Sequence, residues 1–336
     1  MIAASWPRSQ RTSARLLRID RASGAIEHHG ADELPLLLRR GDLLVVNDAA
    51  TLPASLAGSA EGVPIELRLM DEEAGVWRAV VFGAGSWRTP TERRPPPPAL
   101  APGARLSFGG LSARVEAVLA PSARLLSVRF EQSDATFWTE LYRVGKPVQY
   151  SYLSGDLRLW HVQNAYAARP WAVEAPSAGF VLNADSLGRA RQRGVEIAAL
   201  THAAGLSSTG DETLDAALPL RERFEIPAST VAAVAHARAR GGRIIAVGTS
   251  VVRALETRAL EHGSLRPGPG RSELRIGPGF ELRVVDGLLS GMHDPTVSHY
   301  ALLQAFASRA HLDAAHSAAV KAGYLEHEFG DVCLLL

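Results

Sequence analysis

The sequence predicts an α/β protein whose main domain is interrupted by an all-β insertion. The apolar run at 43–47 follows a Gly-Asp turn signal and is typical of a buried strand in a parallel sheet. A second such run, 243–248, is followed directly by a helical pattern, which is the strand–turn–helix unit of α/β folds. From 56 to about 130, short alternating runs are broken by glycine and proline, a pattern typical of a small antiparallel barrel or sandwich.

Length and composition limit the class of protein. The 336 residues suffice for about two domains, and 46% hydrophobic with 21% charged residues is an ordinary globular composition. No run of about 18 apolar residues is present, so we expect no membrane partner. The single cysteine, Cys333, fits a reducing compartment, and we therefore expect a soluble cytoplasmic protein. The net charge of +1 gives no overall argument for a nucleic-acid partner.

The turn after the second buried strand is the most interpretable candidate site. Gly248-Thr249-Ser250 opens a helix whose unpaired N–H groups favour an anionic group, such as a carboxylate or a phosphate. Arg253 and Glu256 lie one turn further on, three residues apart, and can share a face of the helix. An ordinary capped helix with a surface ion pair explains the same residues, and both interpretations stay open.

A stretch of small residues at 175–179 forms a second candidate site. Small side chains let a ligand approach the backbone closely, and this stretch includes Pro176, Ser177 and Gly179. Ser177 would supply one hydroxyl group to a ligand. A tight turn without a ligand is the alternative interpretation.

Three titratable residues follow apolar runs into loops and are candidates for proton transfer. They are His202, His293 and Asp286, in that order of preference. The alternatives are hydrogen-bonded structural histidines and, for Asp286, a turn former. No metal-ligand spacing such as H-E-x-x-H or C-x-x-C occurs, so we expect no metal site. The dinucleotide and P-loop glycine motifs are also absent.

Five groups of segments, in order along nearly the whole chain, carry a resemblance to a known family. They are Arg15-Leu16-Leu17 with 41–48 and Pro53-Ala54, then 175–179, then 242–249 with Val252-Arg253 and Leu255-Glu256, then Pro278-Gly279-Phe280 with 284–288 and His293, and finally Tyr324 with Phe329-Gly330-Asp331. Together these segments resemble the S-adenosylmethionine:tRNA ribosyltransferase-isomerase family, which acts in queuosine biosynthesis.

The resemblance implies a barrel-like α/β main domain with an inserted small antiparallel β-barrel. The main domain would comprise residues 1–55 and 136–336, and the inserted domain residues 56–135. The implied reaction transfers the ribosyl part of S-adenosylmethionine to 7-aminomethyl-7-deazaguanine in tRNA and isomerises it, which gives epoxyqueuosine and releases adenine and methionine. S-adenosylmethionine is then a co-substrate, and we expect no other cofactor. The macromolecular partner is tRNA, and we expect the protein to be a monomer.

The resemblance also implies a set of substrate-binding residues. They are Asn47, Asp48, Pro176, Ser177, Gly179, Gly248, Thr249, Ser250, Arg253 and Glu256. The turn at 248–250 would hold an anionic or ribosyl part of the donor, and the stretch at 175–179 would line the nucleoside pocket. Arg253 would pair with a carboxylate or with Glu256.

The chain departs from the family pattern at several polar positions. Ala50 and Ser55 stand where the family has arginines, and Val181 and Leu220 stand where it has histidines. Three hypotheses follow from these differences. The chain performs the family reaction, uses S-adenosylmethionine with a different, non-tRNA acceptor, or is a non-catalytic RNA- or nucleoside-binding paralogue.

Overall fold

The computed structural model describes residues 1–295 and 298–336, which contain helices, a large mixed sheet and a small closed barrel. Its strands are β1 (Ile2–Ala3), β2 (Arg15–Ile19), β3 (Ile26–Gly30), β4 (Leu43–Asn47), β5 (Ala49–Thr51), β6 (Ser55–Ala60), β7 (Val63–Glu73), β8 (Val76–Phe82), β9 (Arg105–Phe108), β10 (Leu111–Val118), β11 (Leu125–Phe130), β12 (Arg169–Ala172), β13 (Glu196–His202), β14 (Glu222–Ile226), β15 (Ile244–Val247), β16 (Gly268–Ser272), β17 (Gly287–Gly291), β18 (Leu325–Glu326) and β19 (Val332–Leu335). Its helices are α1 (Leu34–Leu37), α2 (Asp134–Val144), α3 (Ala184–Gln192), α4 (Glu212–Ala217), α5 (Ala228–Ala239), α6 (Thr249–His262), α7 (Ser298–Leu303) and α8 (Arg309–Lys321).

The main sheet has nine strands in the order β16-β14-β13-β4-β15-β17-β19-β2-β3. Its central neighbours β13, β4, β15 and β17 run parallel to one another, so their carboxyl ends meet at one edge of the sheet. Leu43 and Val45 of β4 belong to one hydrophobic cluster, whereas Leu44 and Val46 belong to another. Because successive side chains of a strand point to opposite faces, β4 is covered on both faces, as its unbroken apolar sequence predicted.

The barrel closes through six antiparallel strands in the order β10-β11-β8-β7-β6-β9. A continuous apolar cluster fills the barrel and continues onto its outer face, and it includes Leu67, Phe82 and Phe108, all at most 1% exposed. A charged group is buried with them, in which Glu66 accepts hydrogen bonds from Arg68 and Arg94. The predicted α/β class with an inserted antiparallel β-barrel is therefore confirmed.

The barrel strands run from Ser55 to Phe130, between β5 and α2 of the surrounding chain. The division into domains at residues 55/56 and 135/136 stays a prediction. Among the described residues, no helix combines the length and the apolar character that crossing a membrane requires.

Candidate functional site

The carboxyl ends of the four parallel strands bring several of the predicted residues to one edge of the main sheet. Asn47 ends β4, His202 ends β13, Gly248 follows β15, and Gly291 ends β17. In open α/β sheets, ligands bind in the crevice outside this edge. The predicted cluster at the strand ends therefore has a geometric basis, which the contacts below describe.

Asn47 connects three of these strand ends. Its side-chain Nδ2 donates to the carbonyl of His202 over 2.9 Å and to Oγ of Ser250 over 3.3 Å. Its Oδ1 accepts from the backbone N–H groups of His202 and Ala49. Because Asn47 is 1% exposed, these bonds fix the relative positions of β4, β13 and the first turn of α6. The adjacent Asp48 accepts a 2.6 Å hydrogen bond from the hydroxyl of Thr201.

His202 is fully buried beside a carboxylate. Its ring is parallel to that of Phe224, with centroids 6.4 Å apart, and its Nε2 lies 3.5 Å from Oε2 of Glu222. Neither ring nitrogen has a hydrogen-bond partner among the described residues. The pKa of His202 is lowered to about 4, chiefly by burial; the nearby carboxylate of Glu222 opposes this shift and the charge of Arg253 adds to it. The imidazole is therefore neutral at pH 7.

Arg253 pairs with Glu222 and not with Glu256. Its Nη1 lies 2.5 Å from Oε2 of Glu222, and its Nε donates to the carbonyl of Leu274 over 3.1 Å. Glu222 also accepts from the backbone N–H of Gly205 over 2.7 Å. The predicted pair between Arg253 and Glu256 is therefore not formed, and a role of Arg253 in binding a substrate stays a prediction. Glu222 was not among the predicted site residues.

The turn at 248–250 and the stretch at 175–179 lie against each other. Gly248 has a φ of 92°, and a Cβ there would lie 3.6 Å from the Cβ of Ala178. Thr249 and Ser250 are the first two residues of α6, and both are half-buried. Two stretches more than 65 residues apart in sequence thus share one edge of the sheet, with the helix N-terminus beside the small residues.

The short 3-10 turn Ser177–Gly179 is held by residues that sequence reasoning missed. Asn164 donates to the carbonyl of Pro176 over 3.0 Å, while its Oδ1 is buried without a partner among the described residues. A Cβ on Gly179 would lie only 1.9 Å from the hydroxyl of Tyr166, so a larger residue there would require the Tyr166 side chain to move. Burial raises the pKa of Tyr166, and the charge of Asp48 raises it further. The segment carrying Asn164 and Tyr166 has no motif that predicts this role.

A cleft continues from this edge toward the two chain termini. Ser177 and Gly291 line it together with the C-terminal turn at 327–332. Next to Gly291, Nε2 of His293 lies 3.0 Å from the hydroxyl of Ser290, which is 1% exposed. His293 therefore lies at the carboxyl end of β17, on the same edge of the sheet as His202.

Two of the predicted residues are placed elsewhere. Asp286 precedes β17 at the opposite edge of the sheet, where its Oδ2 accepts from the N–H of Ile244 over 2.8 Å. Glu256 lies two turns into α6, is 0% exposed, and accepts from the backbone N–H groups of 283, 284 and 285. Both carboxylates hold backbone in place, and the structure does not bring them to the strand-end cluster.

The positions that depart from the family pattern are dispersed. Val181 is buried and lines the cleft, whereas Ala50 pairs with Pro170 between β5 and β12. Ser55 donates to Glu66 of the neighbouring barrel strand, and Leu220 packs against the barrel's apolar cluster. In the described residues, no group of three or more histidine, cysteine, aspartate or glutamate side chains could hold a metal ion.

Comparisons with known proteins agree with this architecture. A family model described as "Queuosine biosynthesis protein" matches residues 1–335. A protein of Gloeobacter violaceus named S-adenosylmethionine:tRNA ribosyltransferase-isomerase is 38% identical over 340 residues, which are 99% of this chain and 92% of that protein. One of the same name from Anaeromyxobacter dehalogenans is 36% identical over 346 residues, which are 100% of this chain and 96% of that protein.

A solved structure is similar along the entire chain. The crystal structure of S-adenosylmethionine tRNA ribosyltransferase from Thermotoga maritima superposes with a TM-score of 0.54 at 25% identity, covering 100% of this chain and 96% of that one. Fold and site define an α/β protein with an inserted β-barrel and a group of polar residues at its strand ends. The chain belongs to the queuosine biosynthesis protein family.

Proposed function

We propose that this chain transfers the ribosyl moiety of S-adenosylmethionine onto 7-aminomethyl-7-deazaguanine in tRNA and isomerises it, which gives epoxyqueuosine. The observation that carries this function is full-length similarity, at 36–38% identity, to relatives whose names state a ribosyltransferase-isomerase acting on tRNA with this donor. The polar strand-end edge supplies a place for such chemistry on this chain. The names of these relatives give no support for a different acceptor.

The donor nucleoside would lie between the start of α6 and the turn at 175–179. Because Gly248 has no side chain, a ligand can approach the backbone at the N-terminus of α6 closely. The first N–H groups of α6 can donate to ribosyl hydroxyls or to an anionic group. The buried, unpartnered Oδ1 of Asn164 would accept from a donor group of the bound nucleoside. Asn47 would act indirectly, since its hydrogen bonds fix Ser250 and His202.

The reaction needs a group that accepts a proton from the carbon beside the sulfonium. We assign this role to His202, which is neutral at pH 7 because burial lowers its pKa to about 4. A neutral imidazole can take the proton, and the carboxylate of Glu222, 3.5 Å away, would stabilise the resulting imidazolium. His293 is the second candidate at the same edge.

The donor's C–S bond, its glycosidic bond and one C–O bond of the ribose ring break, which releases methionine and adenine. A C–N bond to the acceptor amine, a C–C bond that closes the five ribosyl carbons into a ring and the C–O bond of the epoxide form. The proton taken from carbon and one amine proton are lost, and one of them goes to adenine.

The remaining partners follow from this function. The acceptor base is part of tRNA, so the reaction takes place where tRNA is found, which is the cytoplasm. We propose a monomer as the active form, and light scattering of the purified protein would test this directly.

The deciding experiment measures release of adenine and methionine from labelled S-adenosylmethionine. Release that requires tRNA carrying the aminomethyl-deazaguanine base, with the label of the ribosyl carbon appearing in tRNA, would support the proposal. Matched tRNA with an unmodified guanine serves as the control. Release that proceeds equally without tRNA would indicate another acceptor, and no release together with donor binding would indicate a non-catalytic protein.

A further inference from the structure

Three of the six tryptophans come together on the surface of the molecule, although they lie far apart in the sequence. The ring of His161 meets those of Trp6 and Trp160 edge to face, with centroids 5.1 and 5.5 Å away. Trp87, from the loop after β8, packs on the small apolar cluster that also contains Ala4 of the N-terminal segment. We name the surface formed by Trp6, Trp87, Trp160 and His161 the aromatic face.

Hydrogen bonds attach the segments of the aromatic face to one short loop. The carbonyl of Ser5 accepts from the backbone N–H of Ser154 over 2.9 Å and from its hydroxyl over 3.1 Å. In the same loop, Asp156 accepts from the indole N–H of Trp87 over 2.9 Å. The N-terminal segment and the barrel loop are therefore held on the same support, which fixes their aromatic rings relative to one another.

The rings of the aromatic face are more exposed than the other tryptophans. Trp160 is 69% exposed and Trp6 is 40% exposed, whereas the remaining tryptophans are buried or half-buried. An indole ring gains free energy when it leaves water, and neighbouring exposed rings mark an interaction site more often than a single one does. The aromatic face therefore has the character of a surface that a partner covers.

Positive charge is in excess around the aromatic face. Arg11 donates to the carbonyl of His161 over 2.6 Å, and no carboxylate among the described residues forms an ion pair with it. Burial lowers the pKa of His161, and the charges of Arg11 and of the exposed Arg158 lower it further, which places both arginines near this ring. Arg88 and Asp156 neutralise each other in an ion pair of 3.4 Å. The charges of Arg11 and Arg158 are left over.

The aromatic face adjoins the site proposed for the nucleoside. Arg11, which also donates to the carbonyl of Trp160 over 3.1 Å, lies over the ring of Phe180, 4.4 Å from its centroid. Phe180 directly follows the turn Ser177–Gly179, and Asn164, in the same segment as Trp160, donates to the residue before this turn. A chain of nucleotides with one base in the site would therefore bring the neighbouring bases to the aromatic face.

We propose that the aromatic face binds the single-stranded loop of tRNA that carries the acceptor base, with neighbouring bases stacked on Trp160 and Trp6. A base that reacts must leave its stack, so the bases beside it lose a stacking partner, which exposed indole rings replace. Arg158 would face a phosphate group, and Arg11 would add positive charge. A double-stranded stem fits less well, because its bases are stacked on each other and offer no free faces. This inference rests on the proposed function, because it assumes tRNA as the acceptor.

Equilibrium binding of the acceptor tRNA tests the aromatic face without relying on turnover. We expect Trp160→Ala to weaken tRNA binding about tenfold, and Trp160→Phe to recover most of this loss, because a phenyl ring still stacks on a base. The KM for tRNA should rise with the loss of binding, whereas the KM for S-adenosylmethionine should stay unchanged. Tyr142→Ala, at an exposed aromatic residue of α2, is the matched control and should bind tRNA like the unaltered protein.

Two further measurements separate stacking from charge. Arg158→Gln should weaken tRNA binding and reduce the slope of log affinity against log salt concentration by about one, because one phosphate contact is lost. A single-stranded RNA oligonucleotide with the sequence of the loop should compete with tRNA for the unaltered protein, and this competition should be weaker for Trp160→Ala. An RNA duplex of the same length should compete less well.

Three outcomes would overturn the inference. They are unchanged tRNA binding in Trp160→Ala, an equal loss in Tyr142→Ala, and a duplex that competes as well as the single strand. If light scattering shows two copies that separate in Trp160→Ala while tRNA affinity is unchanged, the aromatic face joins copies of this chain instead. Urea melts check that each variant folds. Release of adenine by the unaltered protein tests the proposed function separately, and tRNA binding without release would contradict that function alone.

Discussion

In the part of the chain that the structure describes, polar groups at the amino ends of the parallel strands are hydrogen-bonded within the protein, whereas several of those at the carboxyl ends are not. At the amino end, Asp42 is 0% exposed and accepts from Arg243 and from the backbone of Arg39. The exposed Asp286 accepts from the backbone of Ile244 at the same end. Each of these carboxylates is satisfied within the protein and closes a turn or a strand start.

At the carboxyl end, buried polar atoms are left without partners. Both ring nitrogens of His202, Nη2 of Arg253 and Oδ1 of Asn164 lack a hydrogen bond to any described residue. A buried polar group without a partner costs free energy, about 1–3 kcal/mol each. Satisfied carboxylates at one end thus stabilise the fold, whereas the unsatisfied groups at the other end are those to which we propose that a ligand binds.

The largest expected effect is a loss of turnover, and it is expected only for residues at the carboxyl ends of the parallel strands. His202→Gln should lower turnover at least about 100-fold, because the proposed proton acceptor is lost. Its free energy of unfolding should stay within about 1 kcal/mol of the unaltered protein, since His202 makes no side-chain hydrogen bond with described residues. Steady-state adenine release and urea unfolding measure both quantities. If His202→Ala and His293→Ala each leave turnover unchanged, the proton-transfer assignment is wrong.

The second prediction concerns the pH dependence of stability. The pKa of His202 is lowered to about 4 in the folded protein, against about 6.5 when unfolded, so the unfolded state binds its proton first as pH falls. This residue's contribution should therefore be constant above pH 6.5 and decrease by about 3 kcal/mol between pH 6.5 and 4. His202→Gln should remove that part of the slope in urea melts across this range. Identical slopes in both proteins would contradict the lowered pKa.

The third prediction applies to a carboxylate that holds backbone. Glu256→Gln should lower the free energy of unfolding by about 2 kcal/mol, because an amide cannot accept from all three N–H groups of 283–285. Turnover per folded molecule should be nearly unchanged. The matched Glu281→Gln, at an exposed glutamate, should have no measurable effect on stability. A large loss of kcat in the folded variant would place Glu256 in the site after all.

The smallest effect is expected at the amino end of the sheet. Asp286→Asn keeps an acceptor for the N–H of Ile244 and should cost only about 1 kcal/mol of stability. Its kcat and KM should match those of the unaltered protein. Loss of turnover without loss of stability would show that the contrast between the two ends is incomplete, and that the sequence-based choice of Asp286 was sound.

The sequence correctly predicted the strands and turns whose local patterns are strong. The unbroken apolar runs of β4 and β15 and the alternating runs of the barrel have clear periodicity, and Gly248 marks the start of α6. His202, His293 and Ser177 became candidates because each lies at a strand end or in a run of small residues, and Asn47 because of the family resemblance. Asn164 and Tyr166 were not predicted because nothing local distinguishes them, and Glu222 because its contact with Arg253 joins two separate elements.

The sequence alone determined which elements form, where the barrel interrupts the α/β pattern, and which family the chain belongs to. These follow from the hydrophobic period, the turn residues and the order of motifs, which can all be read along the chain. Only the tertiary structure decided that Arg253 meets Glu222, that Asp286 faces the opposite edge from His202, and that Trp6 and Trp160 meet at His161. Contacts between residues far apart in sequence depend on how strands are ordered in the sheet, and periodicity carries no information about that order.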